Sequence, residues 1–252
     1  MATGIFLTVR NKASRLPNKS FLKIHDRTTI EHLIDRLKLS KKADMIILCT
    51  STHPDDESLV HVANKNGIKG FRGSEDDKLH RYLEAAEKFG INFLIIVDGD
   101  DLFCDTAYMD RIIDTYHQTH AEFISVEGLP FGAASHGMTL AALEKVCSLK
   151  KETDTEVWGA YFTKPGRFKT VTIDADPADR RPELRMSLDY QEDLDFFAAV
   201  FDELGSKNIF SLQQIIQLLD RKPKIVNINK HMHDKYASNI REKIERVERD
   251  AA

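Results

Sequence analysis

Short apolar segments that alternate with helical patterns constrain the fold of this 252-residue chain more than any other feature. Between them, apolar residues recur at the three- and four-residue spacing of an amphipathic helix, as at Ile30, Leu33, Ile34 and Leu37. Alternating strands and helices predict an α/β fold with a mostly parallel sheet and right-handed crossovers. The predicted strands are GIFLTV (4–9), MIILCT (45–50), FLIIVD (93–98) and EFISV (122–126).

The alternation weakens after Leu129. There GLPFGAASHG (128–137) is typical of a loop, and ELRMSL (183–188) is typical of a strand. We expect one domain over 1–252, with a substrate-binding and dimerisation portion at about 127–182 and a helical C-terminal segment at about 207–252. The last helix is strongly charged, which predicts a face toward solvent or a partner. A further strand is predicted at 168–173, and helices at 139–149, 191–204, 211–220 and 233–249.

Composition restricts the class of protein. With 42% hydrophobic and 30% charged residues and a net charge of -4, the chain is unlike a general nucleic-acid binder. No apolar segment is long enough to span a bilayer, and the first residues lack the order of a signal peptide. The three cysteines form no CxxC pair, which favours reduced thiols. We therefore expect a soluble cytoplasmic protein that binds neither nucleic acid nor membrane.

Charged side chains follow the predicted strands where each strand ends. VRNKASRLPNKS (9–20) follows the first strand, DGDD (98–101) follows the third, and Asp189 follows ELRMSL. In an open parallel sheet, ligands bind at these carboxyl ends. Cations and carboxylates that meet there are what a metal–triphosphate ligand requires. The candidate residues are Arg10, Lys12, Ser14, Arg15, Lys19, Asp98, Asp100, Asp101 and Asp189.

Each of these features also has a simpler structural interpretation. The basic side chains could be solvated, the aspartates after the third strand could be turn residues, and Asp189 could cap a helix. Established signatures of other enzyme classes are absent from the sequence, namely G-x-x-x-x-G-K-[ST], G-x-G-x-x-G after the first strand, H-E-x-x-H and G-x-S-x-G. Their absence argues against P-loop enzymes, NAD-type Rossmann enzymes, zinc proteases and serine hydrolases.

A family resemblance is carried by five segments in order: VRNKASRLPNKSFLKI, TSTHPDDESLV, FRGSEDDKLHRY, VDGDDLFCD and RMSLDYQEDLDF. Together they resemble the cytidylyltransferase family, which includes the synthetases of CMP-3-deoxy-manno-octulosonate and CMP-acylneuraminate. The similarity is greatest to the branch related to the spore-coat polysaccharide protein SpsF. It covers about 4–130 and 183–204. The fold implied is a Rossmann-like α/β/α sandwich of the nucleotidyltransferase, GT-A-like type, often dimeric.

The resemblance implies a CTP-dependent nucleotidyltransferase in cell-surface polysaccharide or glycan precursor synthesis. An oxygen of an anionic, sugar-type acceptor would attack the α-phosphorus of CTP and release pyrophosphate. Arg10, Lys19, Asp100 and Asp189 would be catalytic, with Mg²⁺ on the two carboxylates. Other residues matched to the nucleotide are Ser14, Arg15, Thr50, Ser51, Thr52, Arg72, Gly73 and Ser74, with Asp98 as a candidate to orient the acceptor hydroxyl.

The acceptor site is less well defined by the resemblance. Its candidates are Gly132, Ser135, His136, Glu156, Trp158 and Arg185. His136 is a lone loop histidine and Trp158 could serve packing alone. The phosphate loop lacks the family's usual glycines, His80 stands where relatives often have Asp, and the segment at 128–137 lacks an acidic pattern of the SpsF branch. These departures leave the acceptor open.

Two other functions remain open from the sequence. A GT-A-type glycosyltransferase would use Asp98-Gly99-Asp100 to hold a metal and a nucleotide sugar. The basic first loop favours a nucleotidyltransferase, because a nucleoside-diphosphate sugar has no third phosphate to bind. A catalytically silent nucleotide-binding relative is the other alternative, although both carboxylate positions are retained.

Overall fold

A seven-stranded sheet forms the centre of the protein in the computed structural model, which describes residues 1–12, 15–164, 166–207 and 209–251. Its strand order is β5-β4-β1-β6-β8-β7-β9, and β8 alone runs antiparallel to its neighbours among these strands. The α/β class and the mostly parallel sheet are therefore confirmed. The sheet strands are β1 (Thr3–Thr8), β4 (Met45–Ser51), β5 (Lys69–Gly73), β6 (Phe93–Asp98), β7 (Phe123–Glu127), β8 (His136–Thr139) and β9 (Thr170–Asp174), while β2 (Lys23–Ile24) and β3 (Arg27–Thr28) form a small hairpin.

Helices cover both faces of this sheet, which is why its central strands are apolar throughout. In β1, Ile5 and Leu7 belong to one core and Phe6 belongs to the other, since successive side chains point to opposite faces. The helices are α1 (Thr29–Leu37), α2 (Glu57–Lys65), α3 (Lys78–Phe89), α4 (Thr106–Thr119), α5 (Leu140–Leu149), α6 (Ala160–Thr163), α7 (Gln191–Leu204), α8 (Leu212–Arg221), α9 (Pro223–Asn229) and α10 (Met232–Ala251).

The prediction of a strand at ELRMSL is wrong. The segment is buried from Leu184 onward, and among the described residues it forms only an isolated bridge, between Arg185 and Phe131. Its backbone bonds to two loops: Met186 N–H donates to Phe131 O at 2.6 Å, and Leu188 N–H donates to Asp100 O at 2.9 Å. The apolar residues Leu184, Met186 and Leu188 are buried, which explains the pattern in the sequence. A buried segment does not have to pair with a neighbouring strand. This path brings the segment that precedes Asp189 against the loop that follows β6.

The loop predicted at 128–137 is also too long. Residues from His136 onward form β8, which inserts between β6 and β7. Gly137 allows this insertion, because a Cβ there would lie 2.4 Å from Ile112 and 2.6 Å from the ring of Phe93. Sequence patterns also gave no indication of β5, whose KGFRG segment lacks apolar alternation.

The charged C-terminal helix α10 folds back onto the domain. Arg246 forms an ion pair with Glu152 at 2.8 Å, and Tyr161 donates its hydroxyl to Asp250 at 2.5 Å. Val247 is buried on the inner side of the helix. The expectation of a solvated or partner-bound helix thus missed an intramolecular contact, which is made largely by charged side chains. Among the described residues, none of the helices is both long and apolar enough to cross a membrane.

Candidate functional site

A cleft of about 830 Å³ opens beyond the carboxyl ends of β1 and β6. The loop after β6 forms its floor, the basic segment after β1 forms one side, and α10 contributes to another wall. Its lining includes Thr8, Val9, Arg10, Lys12, Arg15, Leu16, Lys19, Lys78, Arg81, Asp98, Gly99, Asp100, Asp101, Gly132, His136, Glu156, Ser187, Asp189, Tyr236, Asn239, Ile240 and Lys243. The predicted meeting of cations and carboxylates at one edge of the sheet is present in the structure.

Lys19 connects two of the candidate catalytic carboxylates. Its Nζ lies 2.8 Å from Asp100 Oδ2 and 3.4 Å from Asp189 Oδ1, and it also donates to Leu188 O at 2.8 Å. Burial opposes the charge of Lys19, but the two carboxylates outweigh burial and raise its pKa. The lysine is therefore a charged group held in place before any ligand binds.

Asp189 is surrounded by cations. Its Oδ1 accepts from Arg15 at 2.6 Å and its Oδ2 accepts from Arg185 at 2.9 Å. Burial alone raises the pKa of Asp189, but Lys19 and Arg15 overcome this and lower it. Asp189 is not the cap of α7: Tyr190 is the N-cap residue, and Asp193 accepts from the N–H groups of Asp189 and Tyr190.

Three carboxylates after β6 form the group most suited to a metal ion. One oxygen from each of Asp98, Asp100 and Asp101 lies within 4.8 Å of the others. Burial and the charges of Asp100 and Asp98 raise the pKa of Asp101 well above its usual range, and a divalent cation would relieve that repulsion. Oxygen donors of this kind fit Mg²⁺ or a similar hard cation. Asp189, the second ligand expected from the resemblance, is not in this group.

Lys78 and Arg81 are cleft residues that the sequence analysis did not single out. Both lie on α3 and are buried, and Lys78 Nζ contacts Asp98 Oδ1 at 2.5 Å. Burial opposes the charge of Lys78, but Asp98 raises its pKa above the usual range. Both residues stand within the FRGSEDDKLHRY segment, so the motif was the available signal. Their burial could not be predicted from the helical pattern, because charged residues on a helix are normally solvated.

The residues matched to the base and ribose lie beside the cleft without lining it. Arg72 donates to the carbonyls of Ser51 at 3.1 Å and Thr52 at 2.8 Å, so it braces the ends of β4 and β5. The hydroxyl of Thr50 is buried without a partner among the described atoms. Ser51 donates to Asp56, Ser74 accepts from the Asp77 N–H, and a Cβ on Gly73 would lie 3.1 Å from Arg81 Cγ. Ser14 lies outside the described residues.

The acceptor candidates separate into two groups. Gly132, His136 and Glu156 line the cleft, whereas Ser135, Trp158 and Arg185 do not. Trp158 packs edge-on against His136 and Phe162, with ring centroids 5.5 and 5.7 Å apart, and Ser135 is buried. Arg185 is engaged by Asp189 and Asp193. The last three residues therefore pack next to the cleft without lining it. Their positions in the sequence could not show this difference.

Helix α10 contributes side chains that sequence reasoning assigned to solvent. Tyr236 lies with its ring 5.3 Å from the guanidinium carbon of Arg15 and 5.3 Å from that of Arg185. Burial and the carboxylates below it raise the pKa of Tyr236 above the usual range. Lys243 forms ion pairs with Glu156 and with Asp154, the latter at 3.2 Å. The helix thus contributes Tyr236, Asn239, Ile240 and Lys243 to the cleft lining, with Tyr236 against Arg15.

Comparison with known proteins shows to which family this chain is similar. A family model described as "Cytidylyltransferase" matches residues 5–234. An uncharacterized protein of Methanocaldococcus jannaschii is 29% identical over 94% of this chain and 98% of its own length. The spore coat polysaccharide biosynthesis protein SpsF of Bacillus subtilis is 23% identical over 86% of this chain and 93% of its own. The solved structure of a cytidylyltransferase from Leptospira borgpetersenii superposes with a TM-score of 0.82 and 27% identity, covering 90% of this chain and 97% of that one.

Proposed function

Since this chain belongs to the cytidylyltransferase family and is a nucleotidyltransferase, we propose that it transfers CMP from CTP to an anionic sugar-type acceptor with release of pyrophosphate. The observation that carries the proposal is the cleft itself, where Lys19 joins Asp100 to Asp189 beside Arg10 and Arg15. Cations that bind a phosphate chain and carboxylates that bind its metal meet there within one site.

Different residues of the cleft have different roles in the proposed nucleotidyl transfer. The acceptor oxygen bonds to the α-phosphorus while the bond to the β-phosphate oxygen breaks. Arg10 and Lys19 bind the phosphates that leave, and Arg15 orders Asp189. Asp98, which is half exposed at the cleft, orients the acceptor hydroxyl, whose proton is released to solvent. Catalysis then rests on positioning and on neutralising charge.

A divalent cation, Mg²⁺ in the first instance, fits the carboxylates after β6. Asp100 and its neighbours Asp98 and Asp101 would hold it, with Asp189 as a further candidate. When bound, the ion supplies charge neutralisation for the phosphate oxygens. The same Asp98-Gly99-Asp100 sequence would suit a glycosyltransferase, but Arg10, Lys12 and Lys19 along the adjacent wall favour a triphosphate.

The acceptor is placed toward α10 in this proposal. Gly132, His136 and Glu156 line that part of the cleft, together with Asn239 and Lys243. The name of the SpsF relative refers to polysaccharide biosynthesis, which supports a sugar-type acceptor and a role in cell-surface precursor synthesis. A homodimer and a cytoplasmic location are also part of the proposal, to be checked by light scattering and by fractionation.

A pyrophosphate-release screen tests the function. The four nucleoside triphosphates are each combined with acidic sugars and phosphorylated polyols, with and without Mg²⁺. We expect release only with CTP, an anionic sugar and the metal, and its loss in Asp100→Asn. The matched control is Asp176→Asn, which removes an exposed carboxylate paired with Arg111 outside the cleft. Equal release with every nucleotide, or release without metal, would contradict the proposal.

A further inference from the structure

Arg81 is a buried cation, and two of its three side-chain donor nitrogens lack partners. The residue is 2% exposed, yet Nε and Nη1 have no hydrogen-bond partner among the described residues. Arg36 is equally buried at 2%, but its guanidinium donates to Cys104 O at 2.8 Å and to Phe210 O at 3.0 Å. Buried charges in proteins are normally paired, so the two arginines differ in a way that burial does not explain.

The position of Arg81 connects this deficit to the cleft. The residue lies one turn after Lys78 on α3 and lines the cleft wall. Its stem is packed tightly, since a Cβ on Gly73 would lie 3.1 Å from Arg81 Cγ. The stem is therefore packed against the backbone at Gly73, while Nε and Nη1 of the guanidinium have no partner in the described part of the chain. Burial and the nearby charge of Arg10 both lower the pKa of Arg81.

Five of the other cations around the cleft are neutralised within the protein. Lys12, Arg15, Lys19, Lys78 and Lys243 each form an ion pair with a carboxylate.

Arg10 differs from these residues. It donates to a carbonyl, that of Glu75, at 2.6 Å, and forms no ion pair with a carboxylate of the described residues. Arg10 and Arg81 are thus two guanidinium groups of like charge that line the same cleft, near enough for the charge of Arg10 to act on Arg81. Such a pair is stabilised by an anion between or beside the two groups.

We propose that Arg81 acts with Arg10 to bind the phosphate chain of the nucleotide. Phosphate oxygens would then accept the hydrogen bonds for which the described part of the protein offers Arg81 no acceptor. This inference rests on the proposed nucleotidyl-transfer function and adds to it a binding residue from α3. It also predicts a trade-off: the arginine weakens the empty protein and strengthens the complex, because its desolvated charge is satisfied only when phosphate is bound.

The test compares Arg81→Met with the matched control Arg36→Met by thermal unfolding and calorimetry. The ligands are sodium tripolyphosphate, CTP and CMP. Without ligand, Arg81→Met should melt at or above the temperature of the unchanged protein, whereas Arg36→Met should melt lower because carbonyls lose their donors. With ligand, Arg81→Met should lose the stabilisation by tripolyphosphate and bind CTP about tenfold to a hundredfold more weakly. Arg36→Met should keep both responses.

The remaining outcomes separate this inference from the proposed function. Equal loss of CTP and CMP affinity in Arg81→Met would overturn a phosphate role, as would an unchanged CTP affinity. A ligand-free melting temperature as low as that of Arg36→Met would show that Arg81 has a structural partner.

If the unchanged protein responds to tripolyphosphate through Arg81 but not to CTP, the phosphate site stands and the cytidylyl function fails. A protein that responds to neither ligand overturns both. Arg81→Lys, which keeps the charge but not the fork, should recover part of the tripolyphosphate response.

Discussion

Lys19 Nζ lies 2.8 Å from Asp100 Oδ2 and holds that carboxylate beside Asp189, which its Nζ approaches at 3.4 Å. The two carboxylates come from distant parts of the chain, and one ammonium group from the first loop spans them. Repulsion between the carboxylates is reduced in this way without a metal ion. In the proposed complex, a metal ion on these carboxylates would take over that role, and the charge of Lys19 would be left for phosphate.

Removal of that ammonium should affect the triphosphate more than the monophosphate. We expect Lys19→Ala to weaken CTP by at least about tenfold, since a charge-assisted contact is lost, while CMP binding changes little. Calorimetry with both nucleotides measures the difference. Equal losses for CTP and CMP would remove Lys19 from the terminal phosphates.

Substitution of the two carboxylates should separate catalysis from folding. Asp100→Asn should abolish metal-dependent pyrophosphate release with little loss of stability, because burial already disfavours the charge of Asp100 and raises its pKa. Asp189→Asn should abolish release and also destabilise the fold by about 3 to 5 kcal/mol, because buried Arg185 loses one of its partners. Denaturant unfolding and the release assay are read on both variants. Turnover of Asp100→Asn at the unchanged rate would contradict the metal assignment, and the same result for Asp189→Asn would remove Asp189 from the catalytic residues.

Gly132 should tolerate no side chain. Its φ of +89° is in the left-handed region, and a Cβ would lie 2.5 Å from Met186 O. We expect Gly132→Ala to cost roughly 1 to 3 kcal/mol and to disturb the acceptor side of the cleft. Gly159→Ala is the matched control, since a Cβ at Gly159 meets no atom within 4 Å. Similar denaturation midpoints for the two variants would show that this turn adapts without strain.

Acid should release α10 before it unfolds the sheet. Burial alone raises the pKa of Asp250, but hydrogen bonds from Tyr161 and the Glu152 and Lys151 N–H groups outweigh burial and lower it. A carboxylate with a lowered folded pKa stabilises the docked helix above its unfolded value, about 3.9, and this contribution is lost as pH falls through the folded pKa.

Hydrogen exchange measures this release. Protection factors along α10, corrected for intrinsic rates, should stay level from pH 6 to about pH 4 and fall below about pH 4, while those of β1 persist. In Asp250→Asn the helix should be less protected at pH 6 and should change less with pH. A helix that keeps its full protection down to about pH 2, below both the unfolded and the lowered folded pKa of Asp250, would contradict the assignment of Asp250 as its anchor.

The sequence by itself determined the α/β class, the central strands and the strand ends where charge collects. These follow from local patterns: apolar runs such as FLIIVD predict buried strands, and parallel strands bring their carboxyl ends to one edge. The family segments also placed Arg10, Lys19, Asp100 and Asp189, which do line the cleft. Which of these residues act in catalysis is a prediction that the experiments above address.

Tertiary structure decided what depends on contacts between distant segments. ELRMSL became a buried segment instead of a strand, β8 entered the sheet antiparallel, and charged α10 folded back onto the domain. No local sequence pattern shows that Lys78 is buried rather than solvated, or that Arg81 is buried with two donors unpaired among the described residues. Burial and pairing are set by residues far along the chain. The sequence therefore indicated where charged side chains collect, and packing decided which of them are paired within the protein.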